Sequence, residues 1–397
     1  MAADVQKNYY DPKLHGLNWD AKVSEAKENI DKAESLNAAI SEIAALLDAL
    51  NDSHTIFIPP PRTYVHDYGF KTQIVGDHCY VIRVRSGSDA EKKGLKPGSE
   101  VLAINGHPTS RAVAWKLHYL YDILQPQPGL QLKVKDETGE PRQVEVLTKF
   151  RVATDVKYQT HQGINQLVRD IENDEHSKRA RLVETGDDFI AVKLPEFAYS
   201  AVEVDSIVSK MRKHKAAVLD LRGNPGGAES TLIRLLGSMF ENDLKICDRV
   251  GRDSEKTVMA PGRHKDAFTG KLIVLVDSES ASASELFARV IQLQHRGFVI
   301  GDRTAGSVME SLRYPHEFYL NSASYYGASI THANLIMTDG NSLEHVGVDP
   351  DINILPTSSD IANQRDPVLA KAASILGVKL TPEEAGKLFP YEEEAKE

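Results

Sequence analysis

The sequence predicts an α/β fold, because in its second half short β-branched runs alternate with helix-length amphipathic runs, the order that a layered sheet with helical crossovers requires. The strand candidates are FIAVKLPEF, AAVLDLR, KLIVLVD and FVIG, starting at Phe189, Ala216, Lys271 and Phe298; helices follow from about Ala201, Ser230 and Ser284. With 397 residues, 41% hydrophobic and 26% charged, the chain has the length for two or three domains and the composition of a globular core.

Taken in order, the chain opens with a helical pattern from Asn18 to Leu50. After Ser35, the residues Leu36, Ala39, Ile40, Ile43, Leu46, Leu47 and Leu50 fall on one face. The pattern stops at LNDSHTIFIPPPR, where Pro59 to Pro61 force an extended segment, so residues 1–60 read as one helical unit carrying His54. Residues 64–150 change to short β-like runs, among them CYVIRV and EVLAING, joined by glycine turns. Within them, DAEKKGLKPGSEVLAINGHP resembles a PDZ domain: a short helix ending at glycine, a proline-glycine turn, then a strand closed by asparagine-glycine. Tyr68-Gly69-Phe70 stands where that family's carboxylate-binding loop falls, and an apolar-glycine-apolar turn lets successive amides converge on a peptide's terminal carboxylate. A plain hairpin turn would carry the same residues. Residues 151–397 form the α/β part, entered through a polar, loop-like stretch at Asn173 to Lys178. The tail from Asp366 is helical, then charged and frayed.

Several function classes drop out on composition. Forty-seven basic against 57 acidic residues give a net charge of −10, the wrong sign for a nucleic-acid footprint. No apolar run is long enough to span a membrane, so no membrane span is expected. Cys79 and Cys247 stand alone and far apart, and no H-E-x-x-H or clustered Cys/His spacing occurs, so neither a disulfide framework nor a metal site is expected, and no cofactor. The N-terminus MAADVQKNYYDPKL lacks a basic-then-apolar export signal.

Chemistry concentrates in four stretches. In KLIVLVDSESASASEL, a buried strand runs into a cluster of small residues and then a helix, so the Ser282 hydroxyl stands at a sheet edge beside the first amides of the helix. Ser282 with Glu285 is equally the S-x-x-E capping box of an ordinary helix. In LRGNPGG, the residues Gly226 and Gly227 permit backbone conformations that aim amides into a cavity, where with the amide of Ala283 they can hold an oxyanion. No lysine follows the second glycine pair, which disfavours a phosphate loop. Ser53-His54 supplies an imidazole. In GNSLEHVGVDPDI, Glu344 is placed to orient it, and His345 is a rival base.

Together these words, with YYDPKLHGLNWDA near the start and GDRTAG between the nucleophile helix and the closing motif, resemble the C-terminal processing and tricorn-core peptidases, the S41 family of serine peptidases, through nearly the whole chain and in the family's order. The resemblance implies a crotonase-like, ClpP-type α/β core with a PDZ-like insertion. It places Ser282, flanked by Ser280 and Ser284, on the nucleophile. Gly227 and Ala283 fall on the oxyanion positions, with Gly226 a substitute for the first. The C-terminal processing branch uses a lysine base, and here Ser307 occupies that lysine's place; Arg303 nearby is always protonated. The tricorn-like branch instead implies His54 as base, preceded by Ser53 and oriented by Glu344.

The expected activity is hydrolysis of peptide bonds through an acyl-enzyme, with a peptide or protein substrate engaged at its C-terminus by Tyr68, Gly69 and Phe70. Two other readings stay open: an inactive relative that binds peptides through the PDZ-like domain, and a serine hydrolase of non-peptide substrates. Homo-oligomerisation is open. By the resemblance the compartment is periplasmic or secreted, with any export signal outside this chain.

Overall fold

The computed structural model describes residues 1–60, 62, 64–136, 139–152, 179–186, 188–319 and 323–389. The expected loop at Asn173 to Lys178, Pro61 and the charged tail from residue 390 lie outside the described residues.

The centre is a six-stranded sheet in the order Arg181–Thr185, Phe189–Lys193, Ala216–Asp220, Lys271–Val276, Phe298–Gly301 and Ile352–Asn353. The first pair is antiparallel and every later pair parallel. Parallel strands are covered on both faces, and period two sorts their residues between two cores. Ile190, Val192, Leu219, Leu272, Val274 and Val299 face the helices Ala201–Met211, Glu229–Gly237 and Ala283–Leu293. Ala191, Val218, Ile273, Leu275 and Ile300 face the helix Pro367–Ile375.

A second, antiparallel sheet runs Ile56–Ile58, Ala323–Met337, Leu244–Gly251 and Glu255–Ala260, with Met309–Tyr319 also paired to Ala323–Met337. Sequence periodicity detects only the end of this sheet, at NLIMT. Its strands alternate apolar residues with Arg249, Arg313 and Glu317, a half-solvated pattern without the continuous apolar runs of the parallel sheet. The strand Ile56–Ile58 follows the histidine segment directly and pairs with Ala323–Met337 at Ile56–Ser329, so the start of the chain is built into the second sheet. The helices Ala2–Asn8, Trp19–Asp31 and Leu36–Asp48 pack with it: Val5, Tyr9, Trp19, Leu47 and Phe57 share one core with Ala328 and Ile330. Ser35 caps the last of these helices by accepting from Ala38 N. Leu36, expected on the buried face, is 63% exposed, because it is the first helical residue and lies beyond the contact with the preceding helix.

Between these parts stands a β module whose strands run Phe70–Val75, His78–Val84, Glu100–Ile104, Gly129–Lys135 and Arg142–Leu147, around a separate core of Val81, Leu95, Val101, Leu132 and Val146. The short helix Asp89–Lys92 closes one side. Its entry and exit strands, Tyr64–Asp67 and Lys149–Val152, pair antiparallel as a two-stranded stem.

At the end of the strand Ala216–Asp220, just before the glycine-rich loop, Asp220 is 1% exposed. The Arg222 guanidinium grips it through Nε and Nη2 at 2.9 and 2.8 Å, and grips Asp366, the cap of the helix Pro367–Ile375, at 2.9 and 2.7 Å. Burial alone would raise the Asp220 carboxyl, but the charges of Arg222 and Lys193 outweigh it and hold the group well below its ordinary 3.8. Removing the guanidinium leaves the buried Asp220 carboxylate with only the Lys193 ammonium, 3.5 Å away, and Asp366 without its cation, so Arg222→Met is expected to cost about 3 kcal/mol in urea denaturation at neutral pH. Since the folded value lies below the unfolded one, this stabilisation is present at neutral pH and is lost as pH falls below 3.8.

Candidate active site

The strand Lys271–Val276 ends at Asp277, and the helix Ala283–Leu293 begins six residues later. Ser282 sits at the joint with φ +55° and ψ −116°, a conformation of high cost for a residue with a Cβ. Its amide is held from two sides, donating to Ser307 O at 2.9 Å and to Glu285 Oε2 at 3.0 Å. The flanking serines are spent on structure: both are fully buried, Ser280 donating to Leu221 O and Ser284 to Asn224 O. Ser282 is half-buried.

Glu285 reads as a capping residue in the sequence, but its carboxylate does much more. Fully buried, it accepts from Ser282 N, from Thr304 Oγ1 at 2.5 Å, from Gly306 N at 2.8 Å and from Ser307 N at 2.9 Å. Burial pushes its carboxyl up to about 7 against the opposing pull of those four donors. One side chain therefore ties the serine turn to the segment Thr304–Ser307, the stretch where the family lysine would stand.

Backbone donors can be accounted for one by one in the loop LRGNPGG. Gly226 N donates to Asn224 Oδ1 at 2.9 Å, and Ala228 N to Phe197 O at 2.7 Å. Gly226 is thereby corrected as a substitute oxyanion donor, since its amide is committed within the loop. Gly227 N lies between them with no hydrogen-bond partner among the described residues. At the helix start, the amides of Ser282, Ser284 and Glu285 are all engaged, and Ala283 N has no partner among the described residues. The glycines are required by space as well as by φ of +97° and +141°: a Cβ on Gly226 would come within 2.7 Å of Ser282 Cβ, and one on Gly227 within 2.5 Å of Phe197 O. Asn224, fully buried, stitches this loop to the serine turn, its carbonyl accepting from Ala281 N and from the Ser284 hydroxyl.

The histidine arrives from the other end of the chain. Glu344 Oε1 accepts from Ser53 N and Oε2 from the Ser53 hydroxyl, each at 2.8 Å, and Oε2 also accepts from Val308 N at 2.9 Å. Because the single Ser53 proton goes to the carboxylate, Ser53 Oγ accepts from His54 Nδ1, 2.8 Å away. The neutral ring then carries its hydrogen on Nδ1 and its lone pair on Nε2. Burial lowers the His54 pKa, an effect only partly offset by the charges of Glu344 and Asp52. His345, the rival base, has its Nε2 on Asn51 O at 2.8 Å and 3.4 Å from Glu344 Oε1, which makes that nitrogen a donor.

Serine and histidine halves meet on one peptide unit, Ser307–Val308, since Ser307 O accepts from Ser282 N while Val308 N donates to Glu344. Asp52 is a further residue that sequence reasoning missed; its Oδ1 accepts from His54 N, Thr55 N and Thr331 Oγ1, and its Oδ2 from the Tyr9 hydroxyl.

Tyr68, Gly69 and Phe70 do not join this cluster, and their loop is not open. Tyr68 is buried with its hydroxyl on Gln127 O, Gly69 N donates to Asp67 Oδ1 at 2.9 Å, and Phe70 opens the first strand of the module. Asp67 also pairs with Arg85. The expected carboxylate-binding loop is corrected accordingly, because an acidic side chain already occupies the glycine amide. The module instead reaches the core through Gln73, which donates to Asp277 Oδ2, and through Gly76 N and Arg111, which donate to Asp302 Oδ2. Asp277 and Asp302 follow the strands that end beside Ser282.

Backbone strain at Ser282 gives a direct test. Glycine relieves roughly 1–3 kcal/mol at such a position and loses roughly 0.5–1 kcal/mol through greater freedom in the unfolded chain. Ser282→Gly is thus expected to raise unfolding stability by about 1 kcal/mol in chemical denaturation, where an ordinary helix cap replaced by glycine would lose a few tenths.

Residues 188–354 match the model of Peptidase family S41. Over 377 residues the chain is 23% identical to carboxyl-terminal-processing peptidase 3, chloroplastic, of Arabidopsis thaliana, covering 88% of this chain and 66% of that relative. Over 325 residues it is 26% identical to the tail-specific protease of Haemophilus influenzae, covering 76% and 44%. This chain thus spans less than two thirds of the length of either. Among solved structures it shares the fold of mature CPAF complexed with lactacystin, with a TM-score of 0.66 at 15% identity over 95% of both chains. The family match spans the glycine-rich loop, the serine turn and the Glu344 segment, so this part of the chain is similar to Peptidase family S41, and the relatives extend the similarity over most of the chain.

Proposed function

We propose that the chain is a serine endopeptidase with Ser282 as nucleophile, His54 as base and Glu344 acting on His54 through Ser53. Support comes above all from the Glu344–Ser53–His54 relay, which leaves Nε2 as the basic atom and is joined to the serine turn through Ser307 and Val308. His54 Nε2 takes the proton of the Ser282 hydroxyl as its oxygen attacks a peptide carbonyl. The tetrahedral oxyanion is held by the amides of Gly227 and Ala283, the two donors left over by the surrounding hydrogen bonds. Collapse breaks the C–N bond, and the imidazolium returns the proton to the leaving amine. Water then repeats the sequence in reverse to release the acid. No His54–Ser282 hydrogen bond is recorded among the described residues, a separation that closes in many hydrolases when substrate binds.

In this reading residues 1–60 deliver the base, residues 151–397 are a crotonase-like core that delivers the nucleophile, and residues 64–150 are a PDZ-like insertion braced on Asp277 and Asp302. The substrate is a peptide or protein, in keeping with relatives named as processing and tail-specific proteases. With Gly69 N committed to Asp67, the insertion docks rather than reads a terminal carboxylate.

A fluorophosphonate probe is expected to label the protein at Ser282. Ser282→Ala is expected to abolish labelling, and His54→Ala to lower kcat by at least about 10³-fold. Folded protein that takes no label would count against the enzyme and favour a ligand-binding relative. Because the base works as neutral imidazole and burial depresses its pKa, activity should persist as pH falls through 6.5 and drop only below it; a pH profile of kcat/KM measures this. A peptide with a free C-terminus and its amide are expected to be cleaved with kcat/KM within about twofold of each other, and strong preference for the free acid would show that the loop opens to a carboxylate.

A further inference from the structure

We propose that Tyr9 and Asp52 are positioning residues for His54, so that the segment from Tyr9 to His15 acts as a brace on the base. The inference rests on the reading of His54 as base.

The geometry is continuous from the surface to the ring. Asp52 is 7% exposed, and its Oδ1 takes the amides of His54 at 2.8 Å and Thr55 at 3.0 Å, which folds the chain into a tight turn around the histidine. Asn51, just ahead, has φ +50°, the left-handed conformation that asparagine adopts readily, and its amide closes the preceding helix on Asp48 O. On the far side Thr55 Oγ1 donates to Thr331 Oγ1, and Thr331 Oγ1 donates to Asp52, which anchors the turn to the central strand of the second sheet. That leaves Oδ2, and its recorded donor is the Tyr9 hydroxyl at 2.9 Å.

Tyr9 is fully buried, and its phenol is locked from outside. The hydroxyl proton goes to Asp52, so its oxygen accepts from His15 Nε2 at 2.9 Å. His15 has φ +55°, and its amide donates to Asp11 Oδ2. Tyr10 N donates to Thr331 O, the same residue that holds Asp52. The motif YYDPKLH therefore wraps one carboxylate, and that carboxylate sets where the imidazole stands. Burial and the charges of Asp52, Tyr10 and Asp11 push the Tyr9 hydroxyl far above its ordinary value, so it remains a donor at any working pH. Misplacing a catalytic group by an ångström costs up to two orders of magnitude in rate while leaving substrate contacts intact. A brace should thus show in kcat and leave KM alone.

The test uses the full chain and a fluorogenic peptide substrate, with Tyr9→Phe, Asp52→Asn and His54→Ala compared well below their unfolding temperatures. Tyr9→Phe keeps the ring and removes only the hydroxyl, so it is expected to fold, with kcat down about tenfold and KM unchanged. Asp52→Asn is expected to lower kcat further. It should also shift the acid limb of the profile to lower pH, since of the two anions facing the imidazole, Glu344 and Asp52, one is lost. A role confined to stability would lower the unfolding temperature and leave the limb where it is. Wild-type kcat in Tyr9→Phe beside a dead His54→Ala overturns the brace and leaves His54 as base. Full activity in His54→Ala overturns both.

Discussion

One buried carboxylate holds the site together. Glu285 closes a ring of four donors around itself and, by taking the Ser282 amide, keeps that residue in a backbone conformation it would otherwise leave. Everything else is referenced to that turn. Gly226 packs within a side chain's width of it, Asn224 ties the glycine-rich loop to it, and the Ser307–Val308 peptide accepts from its amide at one end and donates to Glu344 at the other. A charge of this kind, buried and fully coordinated, adds little net stability but fixes one geometry among several of similar energy.

The second organising fact is that polar groups left over by folding mark the places where chemistry can occur. Around Ser282 most amides are consumed locally, and among the described residues Gly227 N and Ala283 N are not. Around His54 the side chains are saturated: each side-chain oxygen of Asp52, Ser53 and Glu344 is used, and the ring is left with Nε2. A saturated frame with a few vacancies is what preorganisation requires, because nothing in the frame is free to relax toward a developing charge.

How much of this was legible in the sequence follows from which interactions leave a local trace. The strands and helices of the parallel sheet did, as continuous apolar runs broken by glycine and serine, and so did Ser282, Gly227, Ser53, His54 and Glu344, each set in a distinctive short word. Glu285 was visible only as a cap, since its other three donors come from residues 304 to 307. Asp52 and Tyr9 were invisible because their partnership spans 43 positions and neither residue type is unusual where it stands. The antiparallel sheet was largely missed for the same reason: its strands face solvent on one side and acquire meaning only when paired. In the loop at Gly69, local pattern suggested an open amide, and one preceding aspartate closed it.

The paired stem formed by Tyr64–Asp67 and Lys149–Val152 has an evolutionary consequence. Its two strands leave side by side, with facing Cα atoms about 5 Å apart, so whatever is mounted on it begins and ends at the same point. A cassette of any length can be lost, gained or exchanged there at little entropic cost, without altering the distance between the His54 and Ser282 segments. The mounted unit can therefore vary while the segments of His54 and Ser282 beneath it stay where they are.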